Sequence, residues 1–360
     1  MSSLSGSRAR VLNNPACLPV VGVVGLGYWG PNLLRVLIER SDVQVRWVCD
    51  LDRDRLAGFG RRYPSVRMTD DLDRLLDDDE LDGILLATPV FTHYVLAKRC
   101  LEAGKHVFVE KPLAPSSERA GELIALAGAL DRVLMCGHTF LYSPPVRAVR
   151  ALIQTGELGE LFFISSSRVN LGLHQRDVSV VWDLGPHDFS ILLYWLGAVP
   201  SSIRATGRDS IVRGIADVAF VTMEFDSGLI ASVELSWLAP SKLRRTVIVG
   251  SRKMVVYEDG GAEPIKIYDR GVDFKDPESF GEYQLSYRTG DILSPKLPND
   301  EPLSLQAEAF ILAMATGEQP EYGIKLAHDV VRLAEAAHAS LESDGDRVQL
   351  GGRSLAGDVA

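Results

Sequence analysis

The sequence predicts an α/β protein. A parallel, doubly wound sheet comes first, over residues 18–137, and a second α/β domain with a large open, mostly antiparallel sheet follows, over 138–350. Three observations predict this. Residues 21–50 run strand, glycine turn, helix, strand, acid. Apolar strands then alternate with helical stretches as far as Cys136, which is what a parallel sheet requires. Beyond Cys136 short strands follow one another through tight turns. Residues 1–17 and 351–360 are rich in small and polar residues and are expected to be flexible ends.

Val21–Val24 is a short apolar run suited to a strand buried on both faces. Gly25, Gly27 and Gly30 follow in G-x-G-x-x-G spacing, with Tyr28 and Trp29 inside the loop. Gly25 suits a tight turn, Gly27 lets a pyrophosphate approach the backbone, and Gly30 lets helix and strand pack closely. The helix that starts there offers unpaired N–H groups and a partial positive charge to phosphates. Asp50 lies about 20 residues further on, where a carboxylate accepts from the hydroxyls of an adenosine ribose. An ordinary glycine-rich turn is the plain alternative, but the order of elements around the glycines weighs against it. Asp50, followed by Leu51, argues for NAD, because an added 2′-phosphate would meet its charge. Arg53, Arg55, Arg61 and Arg62 are close enough in sequence to keep NADP open as the alternative.

The pattern then predicts a helix over 32–40, strands over 43–48 and 66–68, helices over 53–63 and 71–76, and a strand over 83–87. Pro89 forces a turn after it. A helix over 92–103, a strand over 106–109, a helix over 116–129 and a strand over 133–136 complete the first domain. Ligands bind beyond the carboxyl ends of such strands. That rule singles out Thr88-Pro89, Glu110-Lys111-Pro112 and Gly137-His138. Lys111 stands directly after a buried strand. It could be a solvated loop lysine paired with Glu110. It could instead hold a substrate hydroxyl or carbonyl and favour the alkoxide as hydride leaves.

In the second domain a helix is expected from Pro144 to Thr155 and a strand over 161–169, which carries Arg168. The stretch VWDLGPHDFSILLYWLG leads into an apolar helix over 188–196, with Asp183 four residues before His187. A helix entrance disfavours imidazolium and keeps a histidine ready to accept a proton. The plain reading of both residues is a capping turn. Strands are expected over 202–207, 217–225, 229–237, 244–249 and 254–257. Residues 260–302 carry several prolines and acids and read as loops, a lid or an arm, with Tyr283, Tyr287 and Arg288 more at home on the surface than on a substrate. Helices over 305–316 and 324–341 and a short strand over 348–350 close the chain. His174 lies near the expected pocket, while His328 and His338 fit amphipathic helix packing.

Composition excludes several classes. Of 360 residues 46% are hydrophobic and 24% charged, and the net charge is -10 without a basic block. That argues against nucleic acid and anionic membrane as partners. There is no signal segment and no apolar run of about 18 residues, so a cytoplasmic protein is expected. Cys17, Cys49, Cys100 and Cys136 lack C-x-x-C spacing and read as buried thiols. No histidine or carboxylate pattern suggests a metal. There is no nucleophile elbow and no Walker lysine.

GLGYWG, ATPVFTH, EKP and DLGPH occur in an order and spacing that resembles the Gfo/Idh/MocA oxidoreductases, from about Leu18 to Leu350. The resemblance implies a Rossmann NAD-binding domain and a C-terminal sheet that builds dimers or tetramers. It implies cofactor contacts from Gly25, Gly27, Tyr28, Trp29, Gly30, Asp50, Leu51, Thr88, Pro89, His93, Glu110 and Lys111. Catalysis is implied for Lys111, Asp183 and His187, with His187 as the acid/base. His138, Phe140, Arg168 and His174 join those three as substrate contacts. Where many members read G-F-N-R-R-F, this chain reads GHTFLYSP over 137–144, so its substrate wall differs. GYWGPN, GHTF and WDLGPHD resemble a subgroup of nucleotide-sugar and secondary-metabolite sugar enzymes. The implied activity is NAD-dependent oxidation of a ring secondary hydroxyl of a sugar, amino sugar, nucleotide-sugar or cyclitol. Three alternatives stand beside it: an NADPH-dependent ketosugar reductase, an enzyme that retains its cofactor through oxidoreduction or redox glycoside hydrolysis, and a non-catalytic dinucleotide-binding sensor or scaffold.

Overall fold

The computed structural model describes residues 18–172, 174, 178–275, 284–320 and 323–355. They divide into two units. The first holds the described residues up to Tyr142 together with the segment from Asp300 to Val331; the second holds those from Ser143 to Asn299 and from Arg332 onward. The chain thus returns to the first unit after 299, whereas the sequence reading assigned 138–350 to the second domain.

The first unit is built from β1 (Val20–Val24), α1 (Gly30–Ile38), β2 (Gln44–Cys49), α2 (Arg53–Arg62), β3 (Arg67–Thr69), α3 (Asp73–Leu76), β4 (Gly83–Leu86), α4 (Val90–Glu102), β5 (His106–Val109), α5 (Ser117–Ala129) and β6 (Leu134–Cys136), and it ends in a 3-10 turn at Thr139–Tyr142. The six strands are all parallel, in the order β3-β2-β1-β4-β5-β6. β1 and β4 form the centre, and Val21, Val23, Ile84, Leu85 and Leu86 are fully buried. Their apolar runs are continuous because helices cover both faces. Chain order reverses between β1 and β4, and the carboxyl ends there open toward a ligand.

The second unit begins with α6 (Pro144–Gln154), β7 (Leu161–Leu171), α7 (Val180–Asp183) and α8 (Gly185–Leu196). Strands follow: β8 (Ala198–Val199), β9 (Ser202–Arg208), β10 (Val218–Glu224), β11 (Ile230–Ser236), β12 (Leu238–Gly250), β13 (Met254–Glu258), β14 (Ile265–Lys275) and β15 (Gln284–Leu293). α9 (Pro302–Thr316) and α10 (Ile324–Glu342) come next, then β16 (Val348–Gln349) and β17 (Arg353–Ser354). Nine strands form one sheet, ordered β15-β14-β13-β12-β7-β11-β10-β9-β16, in which only β7 and β11 run parallel. The inner face follows the two-residue period: Ala219, Val221 and Met223 are buried while Phe220 is exposed. Trp195 of α8 donates its indole N–H to Val146 O of α6 at 2.8 Å, and its ring meets Tyr257 of β13 edge-on.

α9 packs with the first unit. Its Phe310 lies 5.8 Å from Phe108 of β5, edge to face, and its Gln306 accepts from Thr139 Oγ1 at 2.8 Å. The boundary between the units falls inside α10, after Val331.

Two expectations are corrected. Residues 260–302 are not all loop: β14 and β15 occupy about half of the stretch as an antiparallel pair at the sheet edge. The prolines misled because Pro264, Pro295 and Pro298 sit outside the strands they flank, where a missing N–H disturbs no ladder. Tyr283 lies outside the described residues; Tyr287 is exposed, and Arg288 pairs with Asp269 at 3.0 Å. The chain end is also more ordered than expected. β17 pairs with β8, and Leu355 is buried and donates its N–H to Gly197 O at 2.7 Å.

Candidate active site

The turn after β1 is built by its glycines. Gly25 has φ +94°, a conformation L side chains rarely adopt, and its N–H donates to Cys49 O at 2.8 Å. A Cβ on Gly30 would lie 1.8 Å from Gly25 O, so only glycine lets α1 start there. Around Gly27, by contrast, a Cβ would meet nothing within 4 Å. The loop is therefore tight at both ends and open in the middle, where a pyrophosphate would need access. Asp50, just past β2, accepts from Leu26 N with one oxygen and from Asp52 N at 2.8 Å with the other. A carboxylate has about four lone-pair positions, so Asp50 fastens the loop and keeps acceptor capacity for a ribose. Tyr28 and Leu51 are almost fully exposed, at 87% and 89%. These residues fit a dinucleotide, and the two backbone bonds to Asp50 orient the acid for it.

Three of the four arginines beyond Asp50 are engaged elsewhere. Arg53 Nε donates to Asp70 at 2.6 Å, Arg55 pairs with Asp52 at 3.2 Å, and Arg62 stacks over Tyr63.

At the end of β4, Thr88 and Pro89 turn the chain into α4. His93 of that helix is buried, with Nδ1 2.8 Å from Pro112 O and Nε2 2.8 Å from Thr88 O. Burial lowers its pKa, the two carbonyls pull the other way, and the charge of Lys111 lowers it further. The ring ties the loops after β4 and β5 together. That is a positioning task. The Lys111–Pro112 peptide bond is cis.

Glu110 closes β5 and is buried. Its Oε2 accepts from Lys111 N at 3.2 Å. Burial pushes its carboxyl up to about 8, against the opposing pull of the Lys111 charge, the Lys111 N–H and the Trp29 indole. His138, after β6, is equally buried, and burial together with Lys111 brings its pKa down to about 3. Both ring nitrogens of His138 are buried without a hydrogen-bond partner. Lys111 and Phe140 are half-buried. The ends of β4, β5 and β6 thus carry Thr88, Glu110, Lys111 and His138, as the strand-end rule anticipates.

In the second unit Asp183 closes α7 and His187 lies in the first turn of α8. Trp237, which is 1% exposed, donates its indole N–H to Asp183 Oδ2 at 3.1 Å, and its ring lies 5.3 Å from His174. Gly172 leaves room for it, since a Cβ there would stand 2.8 Å from Trp237 Cδ1. Trp237 therefore organises Asp183 and His174, and sequence reasoning missed it. The one available signal was an aromatic at the end of an alternating strand. Arg168 is only 4% exposed and donates from Nε to Asp188, which also accepts from Ser166 Oγ at 2.8 Å. That buried network joins β7 to α8 and gives Arg168 a structural partner.

Cys49, Cys100 and Cys136 are buried thiols whose pKa values burial raises, to about 12 for the first two. Cys17 lies outside the described residues. Among the described residues no group of three or more His, Cys, Asp or Glu could hold a metal, and no helix is long and apolar enough to cross a membrane.

Residues 20–138 match the family model described as "Oxidoreductase family, NAD-binding Rossmann fold", and residues 146–256 match the "GFO/IDH/MocA C-terminal domain". The chain is 28% identical over 222 residues to inositol 2-dehydrogenase 2 of Saccharopolyspora erythraea, covering 60% of this chain and 66% of that one. It is 29% identical over 229 residues to UDP-N-acetylglucosamine 3-dehydrogenase of Acidithiobacillus ferrooxidans, covering 62% and 69%. The matches thus span about two thirds of these curated relatives. Among solved structures, GenD2 from gentamicin A biosynthesis in complex with NAD superposes with a TM-score of 0.78 at 24% identity, over 92% of this chain and 96% of that one. Levoglucosan dehydrogenase, in complex with NADH and levoglucosan, gives 0.77 at 18% identity, over 92% and 99%. The two family models, the strand order and the glycine loop agree: the chain belongs to the Gfo/Idh/MocA oxidoreductases and is an NAD(P)-dependent dehydrogenase with their NAD-binding Rossmann domain.

Proposed function

We propose that the chain oxidises a ring secondary hydroxyl of a sugar, amino sugar, nucleotide-sugar or cyclitol, with NAD as acceptor. The observation that carries this reading is the set of polar groups at the strand ends. Lys111 stands beside a buried Glu110 and His138, where a doubly wound sheet receives the reactive end of its cofactor. The relatives named for inositol and UDP-N-acetylglucosamine support the substrate class. The pairing of Arg53 and Arg55 with acids supports NAD over NADP, because a 2′-phosphate beside Asp50 could recruit either only by drawing it away from its acid.

When bound, NAD supplies the hydride acceptor. Lys111 orients the reacting oxygen, and its ammonium favours the negative charge that develops there. His187 takes the hydroxyl proton. Its place in the first turn of α8 disfavours imidazolium and keeps it a base. Asp183, fixed by Trp237, orients the substrate side of the site. The second unit also serves self-association into a dimer or tetramer through the outer face of its sheet. On that face Phe163 stands in register with Ile230 and Val249, and Phe163 and Ile230 are exposed.

The test is NADH formation across a panel of cyclitols, free sugars, amino sugars and nucleotide-sugars, with Lys111→Ala as control. The expected result is turnover confined to one class and reduced at least about a hundredfold in the variant, with NAD affinity little changed. Undiminished turnover in Lys111→Ala would remove its assigned role. NAD binding without turnover on any alcohol or ketone would favour the non-catalytic alternative.

A further inference from the structure

Asp217 stands one residue before β10, on the side of that strand which buries Ala219, Val221 and Met223. The pattern calls for an apolar residue there, yet the position holds a carboxyl group with no exposed surface. Its Oδ2 accepts from Ile211 N at 2.8 Å, and its Oδ1 is buried with no hydrogen bond among the described residues. An unmade bond of this kind costs about 1–3 kcal/mol, which an apolar side chain would avoid. The carboxyl thus has a task other than filling the core.

The bond to Ile211 closes the loop between β9 and β10. Residues 209–214 of that loop are exposed, and within it Asp209 Oδ2 accepts from Gly214 N at 2.7 Å. The chain returns through Ala216 and Asp217, where two consecutive carbonyls meet the elements around Asp183. Ala216 O accepts from Val180 N at 2.9 Å, at the start of α7, the short helix that ends in Asp183. Asp217 O accepts from Trp237 N at 2.9 Å, and the Trp237 indole donates to Asp183 Oδ2 at 3.1 Å. The helix that carries Asp183 and the ring that bonds to it therefore hang from adjacent peptide groups.

We propose that Asp217 is a positioning residue for the reaction: its buried carboxyl, bonded to Ile211 N, sets the Ala216 and Asp217 carbonyls on which both supports of Asp183 rest. The inference rests on reading Asp183 as part of the substrate side of the site. Asp217 touches no substrate and acts through Val180 and Trp237. Without its bond the return limb is free to shift, and a shift there moves both supports together.

The test uses the five tryptophans as reporters. Trp29 and Trp47 lie in the first unit, Trp182 in α7, Trp195 in α8 and Trp237 beside Asp217. Fluorotryptophan incorporation gives each a fluorine resonance, assigned by replacing each with phenylalanine in turn. In Asp217→Ala the Trp182 and Trp237 resonances should move while those of Trp29 and Trp47 stay. Turnover should fall about tenfold, the worth of one hydrogen bond whose buried partner is left unmade, and NAD affinity should hold. Asp217→Asn keeps an acceptor for the Ile211 N–H, so it should return both resonances and bring turnover within about threefold of wild type. Unmoved Trp182 and Trp237 resonances in Asp217→Ala overturn the proposal. So does movement of all five, which marks a role in folding alone, or failure of Asp217→Asn to restore turnover. Moved resonances with undiminished turnover overturn it too when Asp183→Asn lowers turnover; a fully active Asp183→Asn overturns the reading of Asp183 itself, a separate result. If Asp217→Ala does not fold, Ile211→Pro removes the donor from the exposed side of the same bond and is held to the same resonances and the same fall in turnover.

Discussion

Single residues carry much of this protein's chemistry, and their environments set what each can do. Asp50 accepts two backbone N–H groups and is therefore aimed before any ligand arrives. Asp50→Asn should weaken NAD binding by about ten- to a hundredfold, the worth of a charge-assisted hydrogen bond, and should narrow the margin over NADP; dissociation constants for both cofactors check this. Glu110 and His138 make stability depend on pH in opposite senses. Glu110 titrates near 8 when folded and near 4.5 when unfolded, so the folded state holds the extra proton and stability falls as pH rises across that range. His138 titrates near 3 when folded and 6.5 when unfolded, so stability falls as pH drops across that range. The melting temperature should therefore peak between about 4.5 and 6.5, and Glu110→Gln should flatten the alkaline limb, at about 1.4 kcal/mol per pH unit for one proton. The motifs that carry Lys111 and His187 were legible because they are local. Trp237 was not, because 54 residues separate it from the Asp183 it holds. Nor was the inward fate of His93, whose carbonyl partners lie on two different loops.

At the scale of elements, apolar runs and their stops placed the strands of the first unit within a residue or two. Fully buried strands show an unbroken apolar signal that needs no register. The pair β14–β15 escaped notice for the opposite reason. It is an edge pair with much exposed surface, so Val272, Leu285 and Tyr287 interrupt no polar pattern that marks a face. The turn from α7 into α8 carries Asp183 and His187, and Trp237 of the β11–β12 junction anchors it through Asp183. Trp237→Phe keeps most of the ring's bulk and removes the indole donor. Turnover should fall about tenfold, the worth of one neutral-to-charged hydrogen bond, while NAD affinity stays unchanged. Steady-state rates set beside NAD titrations separate the two effects. Loss of both together would mean that Trp237 serves folding alone.

On the scale of the whole molecule, the strand order β3-β2-β1-β4-β5-β6 fixes one ligand-binding edge, and the open nine-stranded sheet carries exposed apolar side chains, Phe163 and Ile230 among them, on one face. Phe163, Ile230 and Val249 lie together on that face. Phe163→Glu should shift the protein toward a smaller species in sedimentation or light scattering without a comparable fall in melting temperature, because the side chain is already exposed. An unchanged mass at micromolar concentration would remove this face from the assembly. The placement of α9 beside β5 is also a whole-molecule fact. Phe310 fills space against Phe108 across two hundred residues of intervening chain.

The sequence by itself determined the class of fold, the dinucleotide loop, the acid at its far end and the motifs that name the family. Each of these is local, because backbone sterics, periodic burial and helix termini act within a few residues. Only the tertiary structure decided which helix completes the first unit. It also decided that Arg168 pairs with Asp188, that Trp237 holds Asp183, and that Glu110 and His138 are buried beside Lys111. Those outcomes depend on side chains distant in sequence meeting in a low-dielectric interior, where every polar group must find a partner that the linear pattern does not show.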